Sequence, residues 1–481
     1  MTTGAERQGL RLLHVGSGFR PWRLGGLVAY IEDLMAEQVR RGHQVTYFFS
    51  GRHYPYVNGP RLRRWERDGV AMLEVVNSPL HDHGRQPELE LAEPRIERML
   101  GRVIEELRPD VVHVQELAGL PSSVLDVVRV AGVPAILALQ DYFPLCSTFK
   151  LLDSEGKVCL RQRVGADCVA TTAADARPAG LLVEATLLHD LARLPLVRRI
   201  DAARRDRHIE RVARSYSSRV APTDNGRPRD RRVQAAAFER RREVNLERLN
   251  RVDYLIAMSD RVAEIYSQLG IEPSRLRTLT LTLAHIERLR PREPDLQGPI
   301  TFATLGGFES VAKGGRVIID AMRLMSDLGA AKRFRLLAFG FLNAAFKEEV
   351  DRLPGLEVRG PYPPHALDSL LDEVDVGIMP SIWEEAHGFA GIEFLAKGVP
   401  VIANAMGGMV EYTREGETGW LNRSCSSNEL AQIMSGVLER PQQVAELNAK
   451  LRAERHSIVK PMARHEAEMD ALYREVILAR A

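Results

Sequence analysis

Residues 376–421 read VGIMPSIWEEAHGFAGIEFLAKGVPVIANAMGGMVEYTREGETGWL. The stretch opens on an apolar strand, Val376–Met379, and passes through a loop carrying Glu385. It then enters a helix near Gly388 and returns to a strand at Val399–Ile402. Strand, loop, helix, strand is the unit of a parallel sheet, because a parallel partner is reached only by a crossover that packs on the sheet face. Glu393 lies eight residues after Glu385, on the helix itself. The amides of Gly388, Phe389 and Ala390 point out of the helix start, where the dipole favours an anion. A diphosphate fits there, with a carboxylate on either side accepting hydroxyl hydrogen bonds worth about 1.5–3 kcal/mol each. Taken alone, two glutamates around a helix start are more readily a cap and a solvated face.

The same alternation extends in both directions. Upstream strands are expected at Ile300–Leu305, Phe334–Phe339 and Leu356–Arg359, with helices near 314–328, 343–353 and 364–373. After Leu421 only helical patterning remains. In the first half, Arg11–Val15 reads as a strand, followed by a loop with Gly16, Gly18, Gly25 and Gly26. A helix over Leu27–Arg41 places Leu27, Ile31, Leu34 and Val39 on one face, and Gly42 ends it before a strand at Val45–Phe49. That glycine spacing is not Gly-x-Gly-x-x-Gly, so the dinucleotide fingerprint is missing. Strands at Val111–Val114, Ala135–Leu139 and Tyr254–Ala257 follow, with helices near 91–107, 122–131 and 259–269, the last capped by Ser259. Residues 286–299, IERLRPREPDLQGP, combine three prolines with a run of charges and form the clearest linker. The pattern predicts two doubly wound, Rossmann-like parallel-sheet domains facing across a cleft. Their expected spans are 1–285, with a basic helical insertion over about 145–250, and 300–455. A helix over 456–481 is expected to pack back on the first domain.

Composition narrows the class. At 481 residues, 45% hydrophobic and 27% charged, the chain is neither collagenous nor low-complexity. No apolar run approaches the roughly 18–20 residues that span a bilayer. The first residues show neither a basic n-region nor an apolar h-region, and four Cys make no disulfide scaffold, so a cytoplasmic protein is expected. Between Leu191 and Arg251, 18 Arg and 8 acidic residues give a local +10, which leaves −8 for the rest of a chain whose total is +2. Such a stretch reads as a solvated helical face or as a surface for an anionic partner such as lipid headgroups at the inner membrane face. It has few aromatics for base stacking, so nucleic acid is not expected.

The Glu385-x7-Glu393 pair, Lys397-Gly398-Val399-Pro400-Val401, Gly407-Gly408 and Glu411 together resemble the donor domain of family 4 retaining glycosyltransferases of the GT-B fold. Gly25-Gly26, Arg41-Gly42-His43-Gln44-Val45, Pro109-Asp110-Val111-Val112-His113 and Asp141-Tyr142-Phe143-Pro144 agree with that resemblance. It implies a nucleotide-sugar donor, retention of configuration, and no metal or other cofactor. Glu393 would hold the ribose and Glu385 the transferred sugar. Lys313, after Gly306-Gly307, would neutralise the diphosphate. Gly25 and Gly26 would let the backbone approach from the other domain, with His113 and Asp141 on that side. The family usually has Arg beside the first Gly; here Gly307 and Phe308 stand there, and Arg316 is the candidate replacement. Many relatives have His where this chain has Gln140, which cannot exchange a proton but can donate a hydrogen bond to a sugar hydroxyl or carbonyl.

Two further functions stay open at this level: a nucleotide-sugar epimerase or hydrolase of the same fold, and a non-catalytic glycan- or partner-binding protein. Cys146, Cys159 and Cys168 could contribute to a tetrahedral metal site or be plain thiols. His81 and His83 read as a surface loop.

Overall fold

The structure, a computed structural model, describes residues 9–20, 23, 25–54, 58–81, 87–174, 186–187, 231–327, 329–330 and 333–480. Its first sheet holds β1 (Arg11–Gly16), β2 (Gln44–Ser50), β3 (Arg61–Arg67), β4 (Val70–Val76), β5 (Val111–Val114), β6 (Ala135–Leu139), β7 (Tyr254–Ala257) and β8 (Leu276–Thr278). The spatial order is β3-β4-β2-β1-β5-β6-β7-β8. The second sheet holds β9 (Ile300–Leu305), β10 (Phe334–Phe339), β11 (Leu356–Gly360), β12 (Val376–Met379), β13 (Val401–Asn404) and β14 (Gly419–Asn422), in the order β11-β10-β9-β12-β13-β14. Among the strands of the described residues, only β3 and β4 pair antiparallel. The chain winds outward both ways from β1, which lies between β2 and β5, and from β9, which lies between β10 and β12. Doubly wound sheets bind ligands beyond the carboxyl ends of strands at such switch points.

Several elements differ from expectation, each for a local reason. The β3–β4 hairpin is new; Asp68 and Gly69 turn it with φ of 52° and 79°, the positive pair that matches strand twist. The strand expected at Val399 begins at Val401 because Gly398 (φ 81°) and Val399 close the preceding helix. Their amides donate to Leu395 O and Phe394 O at 2.9 Å, a Schellman cap. The first helix spans Gly26–Arg40 and buries Val28, Tyr30, Ile31, Leu34, Met35 and Gln38 rather than the stripe through Leu27 and Val39. β8 and β14 were too short for their apolar pattern to stand out. Ser259 caps its helix through the amide of Val262 at 3.2 Å.

The described part of the insertion keeps Arg232, Glu239, Arg240, Glu243 and Glu247 on an exposed face, as expected, and turns three other arginines inward. Arg241 and Arg242, on the helix Arg231–Leu249, are buried. Arg241 pairs with Glu90 at 2.5 Å and donates to Phe143 O at 2.6 Å, while Arg242 donates to Leu145 O at 2.7 Å. Arg248 joins Asp126 at 2.7 Å. The remainder of the basic stretch, like His83, lies outside the described residues. Within them, no helix is long and apolar enough to cross a membrane. The last helix, Met462–Arg480, lies against Gly26–Arg40 and buries Met469, Tyr473 and Val476 in the first domain's core.

Candidate active site

The loops after β9 and β12 meet at the second sheet's switch point. Gly314 (φ 81°) makes the contact possible: a Cβ there would lie 1.8 Å from Pro380 O. Ile382 N donates to Ala312 O at 2.9 Å, fixing one loop on the other. The approach brings the Lys313 ammonium onto the buried carboxylate of Glu385, which also accepts from Ser381 Oγ at 2.9 Å. Burial works against the charge on Lys313, but the Glu385 carboxylate overrides it and holds the ammonium above its usual pKa. Gly408 N donates to Glu385 O at 2.8 Å, and a Cβ on Gly407 would lie 2.1 Å from that oxygen, so the glycine pair sets the glutamate's backbone.

Gly388 (φ 75°) starts the helix Phe389–Ala396 without a side-chain cap. Glu393, one turn in, accepts from His285 Nε2 at 2.7 Å, a partner from the end of the first domain. Gly26 faces the same helix start, and a Cβ on it would lie 2.7 Å from the Phe389 ring. Gly25 (φ 125°) caps the first helix with open space around it. Glu384 joins the domains: it pairs with Arg261 at 2.6 Å and accepts from Gly407 N at 2.7 Å. Tyr142 and Trp383 meet edge to face across the junction at 6.4 Å, and the hydroxyl and indole nitrogen are both buried without a partner.

On the first domain, the ends of β1, β5 and β6 bring together Ser17, Glu116 and Asp141, with Arg23 from the loop. Ser17 Oγ donates to Glu116 Oε2 at 2.6 Å and Arg23 pairs with the same carboxylate. Burial, and then the neighbouring Glu116, push the Asp141 carboxyl up to about 8, so it is largely protonated at neutral pH. Gln140, beside it, gives its amide to Gln115 Oε1 at 2.7 Å.

Other expected site residues are placed elsewhere. His113 is 1% exposed and bonded to Tyr473 and Gln115 in the core rather than lining the junction. Arg316 does not face Lys313; its guanidinium holds Glu349 at 2.5 Å, on the surface. Phe308 is buried against Phe346, so the position beside Gly306 and Gly307 supplies packing and no cation. Cys146, Cys159 and Cys168 are free, half-buried thiols around Arg242. Among the described residues, the group close enough to hold one ion is instead His43, Glu466 and Asp470. Glu384, His285, Glu116 and Arg23 were missed; only Glu384, adjacent to Glu385, had a visible signal.

Residues 25–282 match the family described as glycosyl transferase 4-like domain, and 299–440 match glycosyl transferases group 1. The putative colanic acid biosynthesis glycosyltransferase WcaL of Salmonella typhimurium is 26% identical over 185 residues, 36% of this chain and 44% of that protein. A D-inositol 3-phosphate glycosyltransferase of Rhodococcus opacus is 27% identical over 228 residues, 42% of this chain and 50% of the relative. The chain thus spans half or less of the length of these curated relatives. Among solved structures, Anabaena HepE in complex with UDP-glucose superposes with a TM-score of 0.57 at 14% identity, covering 97% of this chain and 100% of that one. Sucrose-phosphate synthase from Thermosynechococcus elongatus gives 0.63 at 14%, covering 98% and 100%. The architecture is the two-domain GT-B fold.

Proposed function

The chain belongs to the glycosyl transferase 4-like family, and on that premise we propose that it transfers a sugar from a nucleotide-sugar donor to an acceptor hydroxyl, with retention of configuration and without a bound metal. The observation that carries this reading is the Lys313–Glu385 pair beside the uncapped helix start at Gly388. A diphosphate arriving there competes for the Lys313 ammonium, and its release frees Glu385 to accept hydroxyl hydrogen bonds from the sugar. Lys313 and the helix amides together supply the neutralisation that a divalent ion gives elsewhere. Glu393 exchanges His285 for the ribose hydroxyls.

For retention, the acceptor oxygen attacks the anomeric carbon from the face on which the diphosphate departs. The carbon–oxygen bond to phosphate breaks as the new one forms, and the hydroxyl proton passes to the leaving phosphate oxygen. No protein base is consumed, which suits a site with glutamine at position 140. A panel of nucleotide sugars tests the proposal. A donor at about 100 times its Kd adds about 2.7 kcal/mol of stability, so at least one should raise Tm and lose its sugar to an acceptor. No stabilisation and no transfer with any donor would overturn it.

A further inference from the structure

Glu384 and Glu385 are neighbours in sequence but are held from different domains. Glu385 N donates to Trp383 O at 2.7 Å, which puts Glu384 at the apex of a three-residue turn. From that apex its carboxylate is gripped twice. Oε2 accepts from Gly407 N at 2.7 Å, and Arg261 reaches both oxygens, Nη2 to Oε1 at 2.6 Å and Nε to Oε2 at 3.2 Å. Arg261 belongs to the first domain, on the helix Asp260–Gln268 that follows β7. Its third nitrogen holds Glu264 on that helix at 2.8 Å, and its amide donates to Glu411 Oε1 of the second domain at 3.1 Å. Gly408 lets the helix start come this close, since a Cβ there would lie 2.9 Å from the Ser259 Cβ.

The second domain supplies the amide on Glu384 but not the charge. Among the described residues, the cation that pairs with this carboxylate is Arg261, across the junction. Glu384 is 4% exposed, and a carboxylate buried to that degree is stable only while its charge is met. Without Arg261 the side chain has to turn toward water, and the apex turns with it. Glu385 cannot stay behind. Its amide closes the same turn, its carbonyl accepts from Gly408 N at 2.8 Å, and a Cβ on Gly407 would lie 2.4 Å from its nitrogen. One movement of the Glu384 carboxylate therefore shifts both contacts that set the backbone of Glu385.

We propose that Arg261 and Glu384 form a latch across the domain junction, and that both are positioning residues for Glu385. While the first domain is docked, the pair holds the turn that aims Glu385; when the domains part, the turn relaxes and Glu385 loses its setting. This inference rests on the glycosyl-transfer reading above, in which Glu385 contacts the transferred sugar. A donor held by the undocked second domain then keeps its sugar, and reaction waits for the arrangement that also brings up the first domain.

The latch is tested without substrate, by hydrogen exchange of the full-length protein. In Arg261→Met, the amides of Gly407 and Gly408, which lie in the other domain, should exchange roughly tenfold faster than in the wild type, with β1 and β9 unchanged. Glu384→Gln, which keeps the side chain's size but turns an NH2 toward the donors of Arg261, should do the same and serves if Arg261→Met does not fold. Acceleration spread through both sheets would make the pair merely structural, and none at the two glycines would mean that nothing is latched; either overturns the proposal. The kinetic arm uses UDP-glucose and every other nucleotide sugar of the panel above that the wild type turns over. Glu384→Gln should lower kcat roughly 10–100-fold at unchanged donor KM, and Arg261→Lys should recover part of what Arg261→Met loses. The double variant should lose no more than the worse single one. A loss confined to KM, or losses that multiply in the double variant, would overturn the positioning role. Should the wild type transfer from no nucleotide sugar, the reaction reading fails with its sugar contact, while exchange at Gly407 and Gly408 still decides the latch.

Discussion

The second domain's carboxylates at the junction are paired: Glu385 with Lys313, Glu384 with Arg261 of the first domain, and Glu393 with His285 from the end of that domain. On the first domain's side one charged pair, Arg23 with Glu116, stands beside neutral groups: a buried hydrogen-bonded relay of His14, Gln115 and Gln140, and an Asp141 carboxyl that keeps its proton. A charged pair can exchange its partner for a ligand of the same sign at little electrostatic loss. A neutral relay has no partner to surrender and instead fixes the direction in which one atom points. On the proposed reading, donor binding draws on the second domain's paired carboxylates and orientation on the first domain's relay.

The largest effect that would break this contrast is at Glu385. Its sugar contact strengthens as the ring gains positive charge, so Glu385→Gln should lower kcat with little change in donor KM. Losing a charged contact of roughly 2–4 kcal/mol corresponds to about a 30- to 1000-fold drop. Wild-type kcat in the variant would remove Glu385 from the chemistry. The next effect is smaller and appears in a different constant. A ribose contact exists equally in ground and transition states, so Glu393→Gln should raise donor KM about tenfold and leave kcat unchanged. A fall in kcat instead would place Glu393 on the reacting sugar.

The contrast also explains what could be read in the sequence. Apart from Lys313, the charged residues proposed to hold the donor sit in one short stretch, so Glu385, Glu393 and the helix start at Gly388 were legible from residues 376–421 alone. Strands β5, β6, β7, β9, β10 and β12 were legible for a similar reason, since each is a short apolar run bounded by Pro, Gly or charge. The relay was not legible, because its members come from β1 and from the ends of β5 and β6, each a lone polar residue in or beside an apolar element. One trace exists: His14 and His113 are register partners on adjacent strands, a pairing that only the sheet order reveals. The β3–β4 hairpin was overlooked although Asp68-Gly69 signals its turn, because the arginines of Arg61–Arg67 mask strand alternation on an exposed edge. Arg316 misled because a turn of helix carries it to Glu349.

A prediction at Asp141 sharpens the neutral side. With its pKa raised to about 8, the native carboxyl keeps a proton that the unfolded chain gives up near pH 4. The native state thus binds more protons than the unfolded state between those values, and stability falls as pH rises across the window. Asp141→Asn keeps the neutral form at every pH. Its Tm should decline less than that of the wild type between pH 5 and pH 8.5, with a gap of a few degrees at the upper end, at about 2–4 °C per kcal/mol for a domain of roughly 150–250 residues. Parallel Tm curves would show that Asp141 is ionised at neutral pH.

The smallest expected effect is none: EDTA should leave transfer unchanged and manganese should not raise it. On the proposed reading, Lys313 and the amides at Gly388 supply the counter-charge of the donor diphosphate. The group elsewhere with the right donor types is His43 with Glu466 and Asp470, and its geometry argues against an ion. His43 Nδ1 accepts from Leu10 N–H at 3.1 Å, which leaves the ring proton on Nε2. That proton points at Glu466 and Asp470, 3.3 and 3.7 Å away, where a metal would need a lone pair. Arg41 already holds Glu466 at 2.7 Å, so the cluster ties the last helix to the first domain. Loss of activity in EDTA that manganese restores would show that Lys313 does not suffice, and that the charged side of the junction is completed by an ion.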